Sequence, residues 1–274
     1  MTPEQLERLC VSAAQAGAKL LRELFDKPRE VTLKGRIDLV TDADRAAEEH
    51  ILRLLRERAP GAAILAEESG ESGRGELRFI VDPLDGTTNY AHGIPLFTCT
   101  VAAEVSGELL AGCTVDPMRG ETFRAHRGGG AFVGARKLSV SSASKLEEAV
   151  ACTGFPYGHR EHLPRMVRAF GRFTELARGT RRLGSAALDL AYVAAGRLDV
   201  FWEEGLRPWD VAAGVVLVRE AGGMITRFDG SPLELSGGEV LACAPPVHEA
   251  ARAVLKDARG SGERASPSPR RRPE

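Results

Sequence analysis

Two aspartates, three positions apart, follow an apolar run near the middle of the chain. The run 79–81 (Phe-Ile-Val) predicts a buried strand, and Asp82 and Asp85 follow it with a proline between them. A glycine and two threonines come next, and residues of these types begin helices. Carboxylates bind hard cations such as Mg²⁺, and the free N–H groups at a helix start bind anions. The stretch therefore predicts a site for a metal ion and a phosphate.

The two aspartates can point at one centre only if the chain turns between them. Pro83 helps to fix such a turn, and the backbone carbonyl of Leu84 can then serve as a further ligand. The alternative is an ordinary β-turn whose two acids are solvated and cap the next helix. We favour the metal site, because proline in a turn is common but the rest of the pattern is not.

Three further acids at strand ends or helix starts could complete this site. Glu67 follows a short apolar strand predicted at 62–66, and two neighbouring strands that end in carboxylates bring those groups to one sheet edge. Asp44 and Asp210 lie near the starts of predicted helices, a position that the helix dipole favours for any acid. Acids that converge without a cation repel one another and take up protons. We therefore expect two or more Mg²⁺ ions, roughly 3.5–4 Å apart, that polarise a phosphoryl oxygen and activate a water.

Helical and strand patterns alternate around these acids, with a β-meander between them, which predicts a layered α/β fold with more than one sheet. The stretch 70–75 is interpreted as a polar loop, and 128–130 as a flexible turn. The predicted helices cover 6–25, 163–177, 184–193 and 248–258, with two more that begin near 42 and 208. The predicted strands cover 62–66, 79–81, 98–105, 109–115, 122–125, 137–140, 150–154, 198–202, 222–226 and 240–244.

Composition excludes several classes of protein. A chain of 274 residues with 43% hydrophobic and 27% charged residues has ample material for a core. Its formal net charge of -1 gives no global basic field for nucleic acid. Five widely spaced cysteines without a C-x-x-C motif indicate reduced thiols. With no secretory signal and no membrane-spanning run, we expect a cytoplasmic protein.

The sequence resembles the inositol monophosphatase family of Mg²⁺-dependent, lithium-sensitive phosphatases. Four stretches occur in the family's order, at 38–44, 65–69, 82–89 and 205–214. The resemblance implies a sandwich of alternating helices and sheets in the order αβαβα, of the sugar-phosphatase type.

The resemblance also implies one catalytic domain over 1–258. Its first half, roughly 1–145, would bind metal and phosphate, and 146–258 would complete the site. Residues 259–274, rich in serine, proline and arginine, are interpreted as a disordered tail.

The same resemblance implies a set of metal ligands. Glu67, Asp82 and the Leu84 carbonyl would bind a first Mg²⁺ ion, and Asp82, Asp85 and Asp210 a second. A third, weaker ion near Glu67 is usual in the family.

The resemblance implies catalytic and substrate contacts as well. Thr87, with Asp44 and Glu67, would orient and help to deprotonate the attacking water. The backbone N–H groups of Gly86 and Thr87 would bind the phosphate. The positions matching contacts to the leaving alcohol are Asp85, Gly184, Ser185, Ala186 and Glu203.

The implied reaction is hydrolysis of inositol monophosphate, a small phosphorylated polyol, to inositol and phosphate. Related phosphatases act on histidinol phosphate, fructose 1,6-bisphosphate or nucleotide 3′-phosphates, and the pocket around Glu203 and Arg207 decides among these. Glu203 suits vicinal hydroxyls, which favours inositol.

A different class of function is a regulatory protein that binds the transcription machinery, as some bacterial relatives do. Arginine clusters at 178–182 and 270–272 leave this contact, or one with nucleic acid, open. A solvated basic face and a disordered tail are the simpler interpretation of those clusters. A homodimer is also the family's expectation.

Overall fold

The computed structural model describes residues 1–27, 31–33, 39–155 and 162–259. Asp38 and the predicted tail from 260 onward lie outside these ranges. The described helices are α1 (Pro3–Leu24), α2 (Asp42–Arg58), α3 (Thr87–Ala91), α4 (Leu163–Leu176), α5 (Ala186–Ala194), α6 (Pro208–Glu220) and α7 (His248–Arg259). The described strands are β1 (Val31–Leu33), β2 (Leu39–Thr41), β3 (Ala63–Ala66), β4 (Gly70–Ser72), β5 (Leu77–Asp85), β6 (Thr98–Val105), β7 (Glu108–Asp116), β8 (Glu121–His126), β9 (Gly130–Val133), β10 (Arg136–Lys137), β11 (Val150–Thr153), β12 (Gly179–Arg181), β13 (Val200–Glu204), β14 (Met224–Thr226) and β15 (Glu239–Cys243).

The strands form two large sheets and one small ribbon. The larger sheet has eight strands in the order β10-β9-β8-β7-β6-β5-β3-β4, and all neighbours are antiparallel except β3 and β5. The smaller sheet has five strands in the order β12-β11-β13-β15-β14, with β11 parallel to both β12 and β13. The remaining pair, β1 and β2, precedes α2.

Helices cover both faces of each large sheet. The pair α1 and α2 packs on one face of the larger sheet around a shared core. The pair α5 and α6 fills the space between the two sheets, and α4 and α7 cover the outer face of the smaller sheet. The layers therefore run αβαβα, which confirms the predicted layered α/β fold.

Helix α6 begins at Pro208, a residue suited to the first helical position, and is buried on all sides because it lies between the sheets. Its contact with the larger sheet depends on Gly112 of β7. A side-chain carbon at Gly112 would lie 2.8 Å from both the Cα and the carbonyl oxygen of Ala213. Since only a glycine permits this approach, Gly112 sets the spacing between α6 and the sheet.

Several predicted elements need correction. Residues 70–72 form edge strand β4 rather than a loop, because pairing with β3 defines this strand and its side chains are polar. Strands β1, β2, β9 and β12 were not predicted. The strand predicted at 137–140 is wrong beyond Lys137, since the Val140 N–H donates to the Ala221 carbonyl at the end of α6. Strand β13 runs two residues later than predicted and so contains both Glu203 and Glu204.

Other sequence predictions hold. All five cysteines are buried and unbonded. The hairpin between β6 and β7 turns at Ser106 and Gly107, both with positive φ. Among the helices that the structure describes, none combines the length and the apolar character needed to cross a membrane.

We predict that Gly112→Ala lowers the free energy of unfolding by about 1–3 kcal/mol, because the added methyl group overpacks the contact with α6. Gly171→Ala is the matched control, since nothing lies within 4 Å of that position in α4. The control should be neutral or gain about 0.5–1 kcal/mol in helix propensity. Urea unfolding measures the free energy of unfolding of both variants. Equal values would contradict the close packing of Gly112 against α6.

Candidate active site

The carboxylates that end β3 and β5 meet because these strands are parallel neighbours. Their register pairs Ala66 with Val81, so the next residues, Glu67 and Asp82, lie side by side. The Glu67 N–H donates to the Val81 carbonyl at 3.2 Å and extends the pairing by one step. The carboxyl groups of Glu67 and Asp82 are themselves in hydrogen-bond contact. Two carboxyl groups in this position must hold either a proton or a cation between them.

A bulge between Asp82 and Asp85 turns both side chains toward one centre. Asp82 pairs with Thr100 of β6, whereas Asp85 pairs with Thr98. Three residue steps along β5 therefore lie opposite two along β6. The Leu84 N–H donates to Asp82 Oδ1 at 3.0 Å and fixes the turn. The strand continues through Asp85 instead of ending at Val81, but the turn at Pro83 and Leu84 is present as the spacing predicted.

Gly86 links this strand to helix α3 with a left-handed backbone, at φ 100°. A side-chain carbon at Gly86 would lie 3.0 Å from the Leu96 carbonyl oxygen and 3.3 Å from that of Gly184. The close approach brings the start of α3 against the segment that leads into α5. The glycine is therefore required both by its conformation and by its neighbours.

Thr87 and Asp44 form a pair at the start of α3. Thr87 Oγ1 lies 3.0 Å from both Asp44 Oδ1 and the Leu84 carbonyl oxygen. Asp44 Oδ2 accepts a hydrogen bond from the Thr41 N–H at 2.8 Å, so Asp44 also caps helix α2. Burial raises the pKa of Asp44 to about 6, although hydrogen bonds from Thr41 and Thr87 oppose this rise.

The starts of α5 and α6 hold the two remaining aspartates. Asp85 Oδ2 accepts hydrogen bonds from Ser185 Oγ at 2.6 Å and from the Ala187 N–H at 2.7 Å. Asp210 Oδ2 accepts one from the Arg207 N–H at 2.6 Å. Helix N-termini stabilise carboxylates in this position, so the second half of the chain fixes side chains that complete the site.

One cavity of about 390 Å³ brings these groups together, within the usual range of roughly 300–1,000 Å³ for small-molecule sites. Every site residue predicted from the sequence lines it except Asp44, which is fully buried behind Thr87. The predicted residues that line the cavity are Glu67, Asp82, Leu84, Asp85, Gly86, Thr87, Gly184, Ser185, Ala186, Glu203 and Asp210.

The carboxylates impose a large electrostatic cost on one another. Burial raises the pKa of Asp82 well above its usual range, and the charges of Glu67, Asp85 and Asp210 raise it further. Burial also raises the pKa of Asp85 to about 6, although hydrogen bonds from Ser185 and from the Ala187 N–H lower it. The pKa of Asp210 is likewise raised by burial and then by Asp85. A cation would relieve this repulsion.

The residues present fit a hard cation by their chemistry. Their donors are carboxylate oxygens and the Leu84 carbonyl, the ligands that Mg²⁺ prefers. Among the described residues, no group of three or more His, Cys, Asp or Glu side chains has the arrangement of a complete metal-binding site. The fit to a cation therefore rests on three features of these residues: their donors are oxygen atoms, they line one cavity, and their charges repel one another.

Two residues near the cavity carry no role in the sequence prediction. Asn89 Nδ2 donates to the carbonyl oxygens of Leu96 at 2.7 Å and Leu183 at 2.8 Å, which ties α3 to the segment before α5. Its partner Leu183 is far away in sequence, so no local pattern could reveal this clamp. Asp189 is 1% exposed in α5 and lines the cavity. An acid between Leu188 and Leu190 was a signal available in the sequence.

Comparison with known proteins identifies the family. A model of the inositol monophosphatase family matches residues 2–261. The chain belongs to this family. An inositol-1-monophosphatase from Mesorhizobium japonicum is 44% identical over 248 residues, which cover 89% of this chain and 92% of the relative. The family resemblance of the sequence is thereby confirmed, and the protein is a phosphatase.

Other members of the family carry different names. The Nus factor SuhB of Salmonella typhimurium is 41% identical over 254 residues, covering 91% of this chain and 95% of the relative. The crystal structure of the extragenic suppressor protein suhB from Bartonella henselae superposes with a TM-score of 0.87 at 41% identity. This superposition covers 90% of this chain and 96% of that structure.

We predict that Asn89→Ala lowers the free energy of unfolding by about 2 kcal/mol, because two carbonyl groups lose their donor beside a 7% exposed side chain. Gln15→Ala is the matched control, since this exposed amide makes one hydrogen bond, to Thr122 at 3.2 Å. The control should change stability by less than about 0.5 kcal/mol. Urea unfolding compares the two, and similar losses would show that Asn89 is no clamp.

Proposed function

We propose that the protein hydrolyses inositol monophosphate to inositol and phosphate with bound Mg²⁺. The observation that carries this proposal is the convergence of Glu67, Asp82, Asp85 and Asp210, four carboxyl groups with oxygen donors, on one cavity. The names of relatives at 43–44% identity support the substrate. Sensitivity to lithium is part of the same proposal.

Glu67, Asp82, Asp85, Asp210 and the Leu84 carbonyl would hold two or three Mg²⁺ ions. When bound, such ions polarise the phosphoryl group, favour ionisation of water and stabilise the leaving oxygen. The carboxylates would share their charge with the ions and so lose the repulsion described above. The protein's part is to fix these oxygen atoms through backbone and hydroxyl donors, as it does for Asp82, Asp85 and Asp210.

Thr87 and Asp44 would orient and deprotonate the attacking water, with Glu67 beside it. With a pKa of about 6, Asp44 is ionised at neutral pH and can accept a proton at Oδ1 through Thr87 Oγ1. The second neighbour of this hydroxyl, the Leu84 carbonyl, cannot donate, so Thr87 has a lone pair left to accept a proton from water.

The two ends of the cavity would bind the two parts of the substrate. The N–H groups of Gly86 and Thr87 at the start of α3 are suited to the phosphate oxygens. Asp85, the segment Gly184 to Ala186 and Glu203 would contact the hydroxyls of the alcohol. Glu203 is a hydrogen-bond acceptor, which favours a polyol over a leaving group that carries a second phosphate.

A panel of substrates tests the proposed reaction. We expect inositol 1-phosphate to exceed histidinol phosphate, fructose 1,6-bisphosphate and adenosine 3′,5′-bisphosphate in kcat/KM by about tenfold or more, since only its leaving group offers a full ring of hydroxyls. Phosphate release is measured with Mg²⁺, without Mg²⁺ and with added Li⁺. If another substrate gives a higher kcat/KM, that substrate replaces inositol 1-phosphate in the proposal. If activity is unchanged without Mg²⁺, the proposed role of the metal is rejected.

A pair of variants tests the role of Thr87. Thr87→Val keeps the shape but removes the hydroxyl, so kcat should fall by about 10²–10⁴-fold, the usual contribution of a general acid–base group. Thr87→Ser keeps the hydroxyl and should stay within about tenfold of the wild type. Steady-state kinetics on inositol 1-phosphate gives both values, and equal losses in the two variants would remove Thr87 from proton transfer.

Partners form a separate part of the proposal. We expect a homodimer, which light scattering can check. We also expect a cytoplasmic location, since the five buried free thiols agree with a reducing compartment.

Contact with the transcription machinery is a second candidate function, favoured by the name of the Salmonella relative and by exposed Arg178, Arg181 and Arg182. A pulldown with the site acids changed to Asn separates the roles: retained binding supports a second role, and no binding by wild type or variant rejects it.

A further inference from the structure

Asp189 is a buried acid of the cavity to which the proposed reaction gives no task. It lies one turn into α5, after the residues that hold Asp85, and is 1% exposed. Buried aspartates are rare unless they are paired. In the described part of the chain, however, Asp189 Oδ1 has no hydrogen-bond partner. The other interaction of its carboxyl group is with the thiol of Cys152, a weak donor.

The surroundings of Asp189 favour its neutral form. Burial raises the pKa of Asp189 well above its usual range, and the charge of Asp85 adds to this, while Cys152 and Arg182 act in the opposite direction. A neutral carboxyl group carries one O–H donor that needs an acceptor. A hydroxyl oxygen of a ligand bound in the cavity would satisfy it.

Glu203 is a second carboxyl group that lines the same cavity. It lies on β13 with its carboxylate against Gly154, where a side-chain carbon would be 2.2 Å from both oxygen atoms. Among the described residues the Glu203 carboxylate makes no hydrogen bond or ion pair, and it lines the same cavity as Asp189. Burial raises the pKa of Glu203 to about 8.

We propose that Asp189 and Glu203 together bind the hydroxyl groups of a polyol leaving group, with the Asp189 O–H as a donor and a Glu203 carboxyl oxygen as an acceptor. A hydroxyl group both donates and accepts a hydrogen bond, and two carboxyl groups that line one cavity offer it both kinds of partner. The pair deepens the proposed function and rests on it, since it specifies the alcohol and leaves phosphate chemistry to the other end of the cavity.

Two phosphate esters separate this role from a structural one. Inositol 1-phosphate has a polyhydroxyl leaving group, whereas the leaving group of p-nitrophenyl phosphate has no aliphatic hydroxyl. In the full chain with Mg²⁺, Asp189→Ala should raise KM for inositol 1-phosphate by about tenfold, the effect of losing one positioned hydrogen bond. Its kcat and KM for p-nitrophenyl phosphate should stay within about twofold. Asp189→Asn, which keeps an N–H donor, should restore KM for inositol 1-phosphate to within about threefold of the wild type.

Asp116→Ala is the matched control, because Asp116 is also fully buried but pairs with Arg119 outside the cavity. It should affect the two substrates equally. Equal effects of Asp189→Ala on both substrates, or an Asn variant as impaired as the Ala variant, would overturn the role of Asp189. If Asp189→Ala does not fold, Asp189→Val, which also lacks a donor, takes its place with the same expected outcome.

The proposed function fails in a different and recognisable way. Wild-type protein that hydrolyses p-nitrophenyl phosphate but shows no preference for inositol 1-phosphate would reject the polyol substrate and, with it, the role of the Asp189 and Glu203 pair. A preference in the wild type that survives unchanged in Asp189→Ala would reject the pair alone.

Discussion

Mutual repulsion among clustered carboxylates is the constraint on which the rest of this structure depends. Burial and the charges of neighbouring acids, Glu67 among them, raise the pKa values of Asp82, Asp85 and Asp210, so holding these groups together costs folding free energy. The fold meets this cost with rigid donors placed at a strand bulge and at two helix starts. Since the acids come from both halves of the chain, the two sheets must be fixed relative to each other. Asn89 and Ser185 supply that connection, since their hydrogen bonds join α3 to Leu183 and Asp85 to the start of α5.

The proposed metal site and the proposed leaving-group site draw on different elements. The larger sheet, α3 and the start of α6 supply the acids and the helix start suited to metal and phosphate. The smaller sheet and α5 supply Glu203 and Asp189, which line the same cavity and which we propose contact the leaving group. Under this proposal, the acids would define a phosphatase and the Glu203 side of the cavity would define its alcohol.

The sequence was informative where the determinants are local. The turn between Asp82 and Asp85 follows from four consecutive residues, and the meeting of Glu67 with Asp82 follows from two short strands that each end in an acid. Edge strands such as β4 escaped prediction because pairing with a neighbour, and not an apolar pattern, defines them. The clamp from Asn89 to Leu183 also depends on a contact between distant segments. The sequence shows Asp189 as an acid in an apolar helix, but it does not show that Asp189 lines the cavity.

Binding of Mg²⁺ by the acid cluster is the central claim, and calorimetric titration of the metal-free protein with Mg²⁺ tests it most directly. The account predicts two or three ions bound per chain in the wild type. In Asp85→Asn, with an unchanged circular dichroism spectrum, we expect weaker or incomplete binding and a kcat lower by orders of magnitude. A wild-type protein that binds no Mg²⁺ and hydrolyses its substrate fully in EDTA would contradict the account.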